Sequence, residues 1–292
     1  MQKAKFKFFI LNFAVSIGTE SVVNRIDKKF AALKKQRKTA LIPFVTAGDP
    51  DLATTLEILR ALERGGADLI ELGVPFSDPM ADGPTIQRAS ERALEKGASL
   101  PRILEMVRKF RRHSEMPLIL FGYYNPFLRY GLKRFTAEAE AAGVDGVLCV
   151  DLPPEESGEL KRWTDARGLD TIFLLAPTSD IGRIRLVARR GRGFIYYVSV
   201  TGVTGARRSL ENHLRARVAR VRRETSLPVG VGFGISTPRQ AAWIASFADA
   251  AVVGSALIGT MERARARREK VAQAGRFVAR LKRAMNSVTK KD

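Results

Sequence analysis

Residues 71 to 87 read ELGVPFSDPMADGPTIQ, which sets three carboxylates, Glu71, Asp78 and Asp82, within twelve residues. Three acids this close could hold a metal, run acid/base chemistry or shape a loop. A metal prefers ligands on rigid elements, usually with histidine among them, and the chain has only His113 and His213. Acid/base work fits better, with no metal. Glu71 closes the apolar stretch DLI, where apolar walls would oppose its ionisation and tune it as a proton donor and acceptor. Asp82 lies eleven residues on in a Pro-rich loop that could fold over a ligand, with Asp78 bracing the loop by bonding backbone amides. Farther along, GFGIS and VGSA each set small residues ahead of a helix. The N–H groups of Gly232, Gly234, Gly254 and Ser255 could there approach an anion such as phosphate.

These residues need a frame to bring them together. Eight short apolar runs alternate with amphipathic helical segments from residue 22 onward: 40–47, 68–74, 117–123, 146–152, 171–177, 193–200, 228–233 and 250–256. Their near-continuous hydrophobicity suits parallel strands covered on both faces. Eight strand and helix units of about thirty residues predict an α/β fold, a (β/α)8 TIM barrel, with a doubly wound open sheet as the alternative. Ile26, Phe30 and Leu33 predict an extra N-terminal helix that caps the barrel bottom. In such a barrel the catalytic groups follow the strands, and phosphate sits after the seventh and eighth. Strand alternation then points Glu71 into the mouth. A salt bridge within the barrel has no partner, because the other apolar runs contain neither Lys nor Arg.

Composition bounds the function. The 292 residues include 45% hydrophobic and 8% aromatic side chains, enough for one large core, and no linker divides them. Cys149 is the single cysteine, so no intrachain disulfide forms, and a reducing cytoplasm is expected. Cys149 itself reads as a small core residue. A net charge of +20 raises nucleic-acid binding as a rival. The basic residues, however, sit at helical spacing opposite apolar ones, as in RARVARVRRE, so a solvated basic face is expected, with no nucleic-acid partner. The opening MQKAKFKFFILNFAVSIGTE mimics a signal peptide, but its apolar run is short and interrupted by Asn12. Residues 1–21 are expected to be a disordered or helical extension or a misassigned start, 22–287 the catalytic barrel and 288–292 a basic tail, with no membrane span.

The motifs LIPFVTAGDPD, ELGVPFSDPMADGPTIQ, VDLPPEES, VSVTGVTGAR, VGFGIS and VGSALI, in this order, resemble those of the tryptophan synthase alpha chain family, over about residues 22 to 285. The resemblance implies a carbon–carbon lyase that cleaves indole-3-glycerol phosphate to indole and glyceraldehyde 3-phosphate in tryptophan biosynthesis, with no cofactor in this chain. It implies that Glu71 protonates indole C3 and then takes the hydroxyl proton, while Asp82 accepts from the indole N–H. Tyr196 matches the family's active-site tyrosine; Phe44, Asp151, Thr204 and Phe233 are expected at the substrate, and Gly205 with Gly234, Gly254 and Ser255 at its phosphate. Loops 75–84 and 200–210 would close over substrate, with Thr204 touching Asp82. The implied partner is a beta chain that carries pyridoxal phosphate, in an αββα heterotetramer, met through GYYNPF and the 75–84 loop. Two enzyme and non-enzyme rivals stand beside this. Indole-glycerol-phosphate synthase would need a strand lysine, which is absent, and an idle activator of the beta chain would not need both Glu71 and Asp82.

Overall fold

A computed structural model describes residues 24–199, 207–232 and 234–288. The extension expected over residues 1–21 and all but the first residue of the 288–292 tail lie outside them. Eight parallel strands close into a barrel in chain order, with β8 hydrogen-bonded back to β1, which excludes the open doubly wound sheet. The first half runs α1 (Arg25–Lys35), β1 (Ala40–Thr46), α2 (Leu52–Arg64), β2 (Ile70–Gly73), α3 (Pro84–Glu95), α4 (Leu100–Arg111), β3 (Leu118–Gly122), α5 (Tyr124–Tyr130), α6 (Leu132–Ala142) and β4 (Gly146–Cys149). The second half runs α7 (Gly158–Asp165), β5 (Asp170–Leu175), α8 (Ile181–Arg190), β6 (Ile195–Val198), α9 (Arg207–Arg223), β7 (Val229–Gly232), α10 (Pro238–Ala245), β8 (Ala250–Val253), α11 (Ser255–Glu262) and α12 (Arg267–Asn286). Every expected apolar run coincides with a strand, β5 starting one residue early at Asp170. The ends of those runs, from Val74 or Gly254 onward, pass instead into the turns that build the mouth.

Strand alternation divides the core in two. One set of side chains faces the helices; the other, including Ile42, Leu69, Ile119, Leu148, Ile172, Phe194 and Val252, fills the barrel. Helix α1 plugs the bottom as its pattern predicts. Ile26, Phe30 and Leu33 are buried in the inner cluster, and the Phe30 ring lies 5.7 Å from that of Phe194. Burying each such side chain is worth roughly 1.5–3 kcal/mol. Asn24 starts the helix: its carboxamide oxygen accepts from the Ile26 and Asp27 amides, and its amide donates to the Asp145 carbonyl.

A repeated aspartate ties the bottom of the sheet. Asp68, Asp145 and Asp249 each stand just before a strand and accept the amide of an early residue in the preceding strand, Leu41, Leu118 and Val229 respectively, at 2.8–2.9 Å. Basic side chains complete them, Lys282 on Asp68, Arg111 and Arg25 on Asp145, and Arg222 on Asp249. The outer helices bury apolar faces, such as Ala274, Phe277, Val278 and Leu281 of α12, and turn their arginines to solvent. Several of these meet acids there, as Arg267 meets Glu57 and Arg185 meets Glu224. Cys149 is buried, and burial pushes its thiol up, as a core residue requires.

The Asp145 cluster is the most enclosed of these ties. Arg111 reaches Asp145 at 2.6 Å and also donates to the Gly143 and Met116 carbonyls, with both side chains under one-tenth exposed. Burial pushes the Asp145 carboxyl up and the Arg111 guanidinium down, so each ion depends on the other. Asp145→Ala leaves a buried cation unpaired and is expected to cost about 3–5 kcal/mol, read as a lower urea midpoint at unchanged slope.

Candidate active site

The site is built at the C-terminal ends of the strands. Glu71 lies in β2, in register with Phe44 of β1 and Ile119 of β3. It points inward, following Leu69, and is fully buried. Among the described residues neither carboxyl oxygen has a hydrogen-bond partner, and burial pushes the group up to about 8. Thr46, two residues beyond Phe44, also buries its hydroxyl without a partner. Buried polar atoms left unpaired are uncommon and costly, so a cluster at the mouth marks a place for a ligand.

Aromatic rings surround this acid. Phe44 and Phe121 meet edge to face with centroids 5.1 Å apart. Phe44 fits because Gly73 has no side chain: a Cβ there would fall 2.5 Å from the ring. Across the barrel, Tyr196 of β6 is 9% exposed, and its phenol is pushed well up by burial and by the charge of nearby Glu71. Tyr196 in turn occupies the space over Gly232, where a Cβ would lie 2.1 Å from its hydroxyl. Gly232, expected at the phosphate, therefore has a further duty, to leave room for this tyrosine.

Asp82 belongs to the loop between β2 and α3. Burial raises its carboxyl to about 6, and the nearby Tyr123 hydroxyl opposes the rise. That hydroxyl also accepts the Ala81 amide at 2.9 Å, while the Gln87 side chain donates to the Asp82 carbonyl at 2.9 Å. Asp78, expected to brace the loop through backbone amides, instead has an exposed carboxylate bonded to the Ser77 hydroxyl. The bracing falls to Tyr123 and Gln87, because the loop turns its tip, with Met80 92% exposed, out to solvent. Asp151 is also exposed and accepts the Tyr124 amide at 2.8 Å, which caps α5.

The anion-binding turns differ in readiness. Helix α10 already satisfies its N-terminus, with Thr237 and Gln240 forming a reciprocal capping box. Helix α11 has no side-chain cap: Gly254 precedes it and exposed Ser255 opens it. Its free amides, with Gly234 in the left-handed region at φ +80°, form the surface best suited to a phosphate. Thr204, Gly205 and Phe233 lie outside the described residues. Sequence reasoning missed Tyr123 and Thr46, although each stands at the end of a strand, where a barrel concentrates its chemistry.

A closed parallel barrel with a buried acid, aromatic walls and an open helix N-terminus at its mouth defines a (β/α)8 enzyme built for acid/base chemistry. Comparison with known proteins narrows the class. The family model described as tryptophan synthase alpha chain matches residues 30–286, and the chain belongs to that family. It is 59% identical over 257 residues to the tryptophan synthase alpha chain of Geobacter sulfurreducens, covering 88% of this chain and 96% of that protein. It is 61% identical over 240 residues to that of Geotalea daltonii, covering 82% and 91%. The crystal structure of the alpha subunit from Legionella pneumophila superposes with a TM-score of 0.85 at 40% identity, covering 91% of this chain and 99% of that one. The chain is thus a lyase of tryptophan biosynthesis that cleaves indole-3-glycerol phosphate.

Burying Glu71 has a measurable cost. The unfolded chain loses this proton near the ordinary value of 4.5, whereas the folded chain keeps it to about 8, so stability falls as pH rises between them. Glu71→Gln is therefore expected to be more stable than the wild type. The gap should widen by up to about 1.4 kcal/mol per pH unit across that window, read by denaturant melts at several pH values.

Proposed function

We propose that Glu71 and Asp82 divide the proton transfers of the cleavage. At neutral pH Glu71 holds its proton, and it delivers this proton to indole C3. The resulting carboxylate removes the proton of the glycerol hydroxyl next to the breaking bond. The carbon–carbon bond electrons return to the ring, glyceraldehyde 3-phosphate leaves as an aldehyde, and Glu71 is restored. Asp82, ionised above about 6, accepts from the indole N–H and stabilises the cationic ring formed in between. The observation that carries this reading is Glu71 itself, fully buried and unpaired on the strand at the barrel mouth.

The other residues take binding roles. Phe44 and Tyr196 wall the indole, and Gly234, Gly254 and Ser255 hold the phosphate at the start of α11, with Gly232 backing Tyr196. Thr204, Gly205 and Phe233 complete the enclosure by resemblance. Asp151 serves the substrate at one remove, by fixing Tyr124. The scheme balances protons and electrons with no cofactor in this chain, and pyridoxal phosphate belongs to the beta partner.

That partner, in an αββα assembly, meets the groove beside the catalytic loop. The groove holds about 390 Å³ and is lined by Pro75, Phe76, Leu94, Leu100, Asn125 and Pro126. Leu94, 37% exposed, gives it an apolar rim. Among the described residues no helix is long and apolar enough to cross a membrane. A single cysteine and no intrachain disulfide support the cytoplasm as the place of work.

Two experiments test this reading. With purified protein and indole-3-glycerol phosphate, kcat/KM for glyceraldehyde 3-phosphate release is expected to follow a bell. It falls below about 6 as Asp82 is protonated and above about 8 as Glu71 ionises. Glu71→Gln should lose at least about 100-fold at every pH, and activity retained in that variant removes Glu71 from the role. For the partner surface, Leu94→Asp should weaken beta-chain binding about tenfold or more by titration while leaving isolated cleavage intact, and unchanged affinity moves the interface elsewhere.

A further inference from the structure

We infer that Tyr123 is a positioning residue for the cleavage: its phenol hydroxyl fixes the orientation of the Asp82 carboxylate and of the loop that carries it. This rests on the role proposed for Asp82 and adds a residue that acts through it. Tyr123 follows β3 directly and is 5% exposed, so its backbone is set by the barrel. Its ring packs against Phe76 near the start of the catalytic loop, with centroids 5.3 Å apart. Its hydroxyl reaches the other end of the same loop, where it accepts the Ala81 amide at 2.9 Å and so stands beside the next residue, Asp82. One side chain on the rigid barrel thus clasps the loop at both ends.

Valence fixes what the hydroxyl can offer Asp82. With the Ala81 amide donating to its oxygen, the phenol has its one proton to give, and the adjacent carboxylate can only accept. The groups facing Tyr123 keep that proton in place. Burial, the charge of Asp82 and the charge of Asp151 from the loop after β4 together push the phenol up to about 12. It remains a donor throughout the working range. A proton offered from this side favours the ionised form of Asp82 and restrains the rise that burial causes. Asp151 steadies the clasp from outside by holding the amide of the next residue, Tyr124.

Tyr123→Phe keeps the ring against Phe76 and removes only the hydroxyl. The expected result is a roughly tenfold fall in kcat/KM near neutrality, with the acidic limb of its pH profile moved up by about one unit, since a donor beside a charged group is lost. In an Asp82→Asn background the same change should cost nothing further, because the group it serves has gone. An acidic limb that stays in place, or a full additional loss in the Asp82→Asn background, overturns the proposal and leaves Tyr123 a packing residue. The Asp82→Asn variant alone separates the two readings. Full activity there discards Asp82 and the clasp together, whereas lost activity there with an unmoved Tyr123→Phe profile discards the clasp alone.

Discussion

The structure turns on the placement of Glu71, an ionisable carboxyl inside a closed barrel with no hydrogen-bond partner among the described residues. Desolvating a charge costs more than most single contacts return, so Glu71 is tolerated only as a neutral acid. The rest of the barrel makes that condition hold. Parallel strands closed from β1 to β8 leave no sheet edge through which a basic side chain or a file of water would enter. Apolar layers and the α1 plug seal the barrel from below. Phe44, Phe121 and Tyr196 narrow the mouth above it, and they fit because Gly73 and Gly232 give up their side chains.

The two ends of the barrel treat carboxylates in opposite ways. At the bottom, Asp68, Asp145 and Asp249 each accept a neighbouring strand's amide and a basic side chain, so charge there stitches strands together. Asp170, at the start of β5, departs from this pattern. It takes no strand amide and lies 3.5 Å from Arg192, and burial raises it to about 7. At the mouth, the acid has no such partner. Stability is gathered at one end, and chemistry is placed at the other, where strands finish and turns begin.

This division explains what could be read in advance. The apolar runs identify all eight strands because parallel strands are covered on both faces, and Glu71 stands out because an acid in such a run contradicts its surroundings. The α1 plug is equally legible from Ile26, Phe30 and Leu33. Pairings across the chain are not. That Tyr123 reaches back more than forty residues to Ala81, or that Gly232 exists for the sake of Tyr196, follows from barrel closure, which no local pattern expresses. Asp78 misled for the same reason. Its spacing from Asp82 is a property of the chain, whereas its exposure is a property of how the loop leans.

Under the proposed division of proton transfers, the different supports of Glu71 and Asp82 follow from their charges. In that scheme Glu71 begins neutral, and a strand wall is suited to this because it cannot move to offer a partner. Asp82 begins ionised in the same scheme, which a rigid apolar wall would forbid. A half-buried loop permits it, because the nearby Tyr123 hydroxyl offsets part of the desolvation. If the supports were exchanged, the strand acid would be forced to ionise without a partner and the loop acid would lose its proton to solvent. Rigidity for the proton donor and a tethered loop for the anion are therefore consequences of the same requirement, that one carboxyl keeps its proton while its neighbour does not.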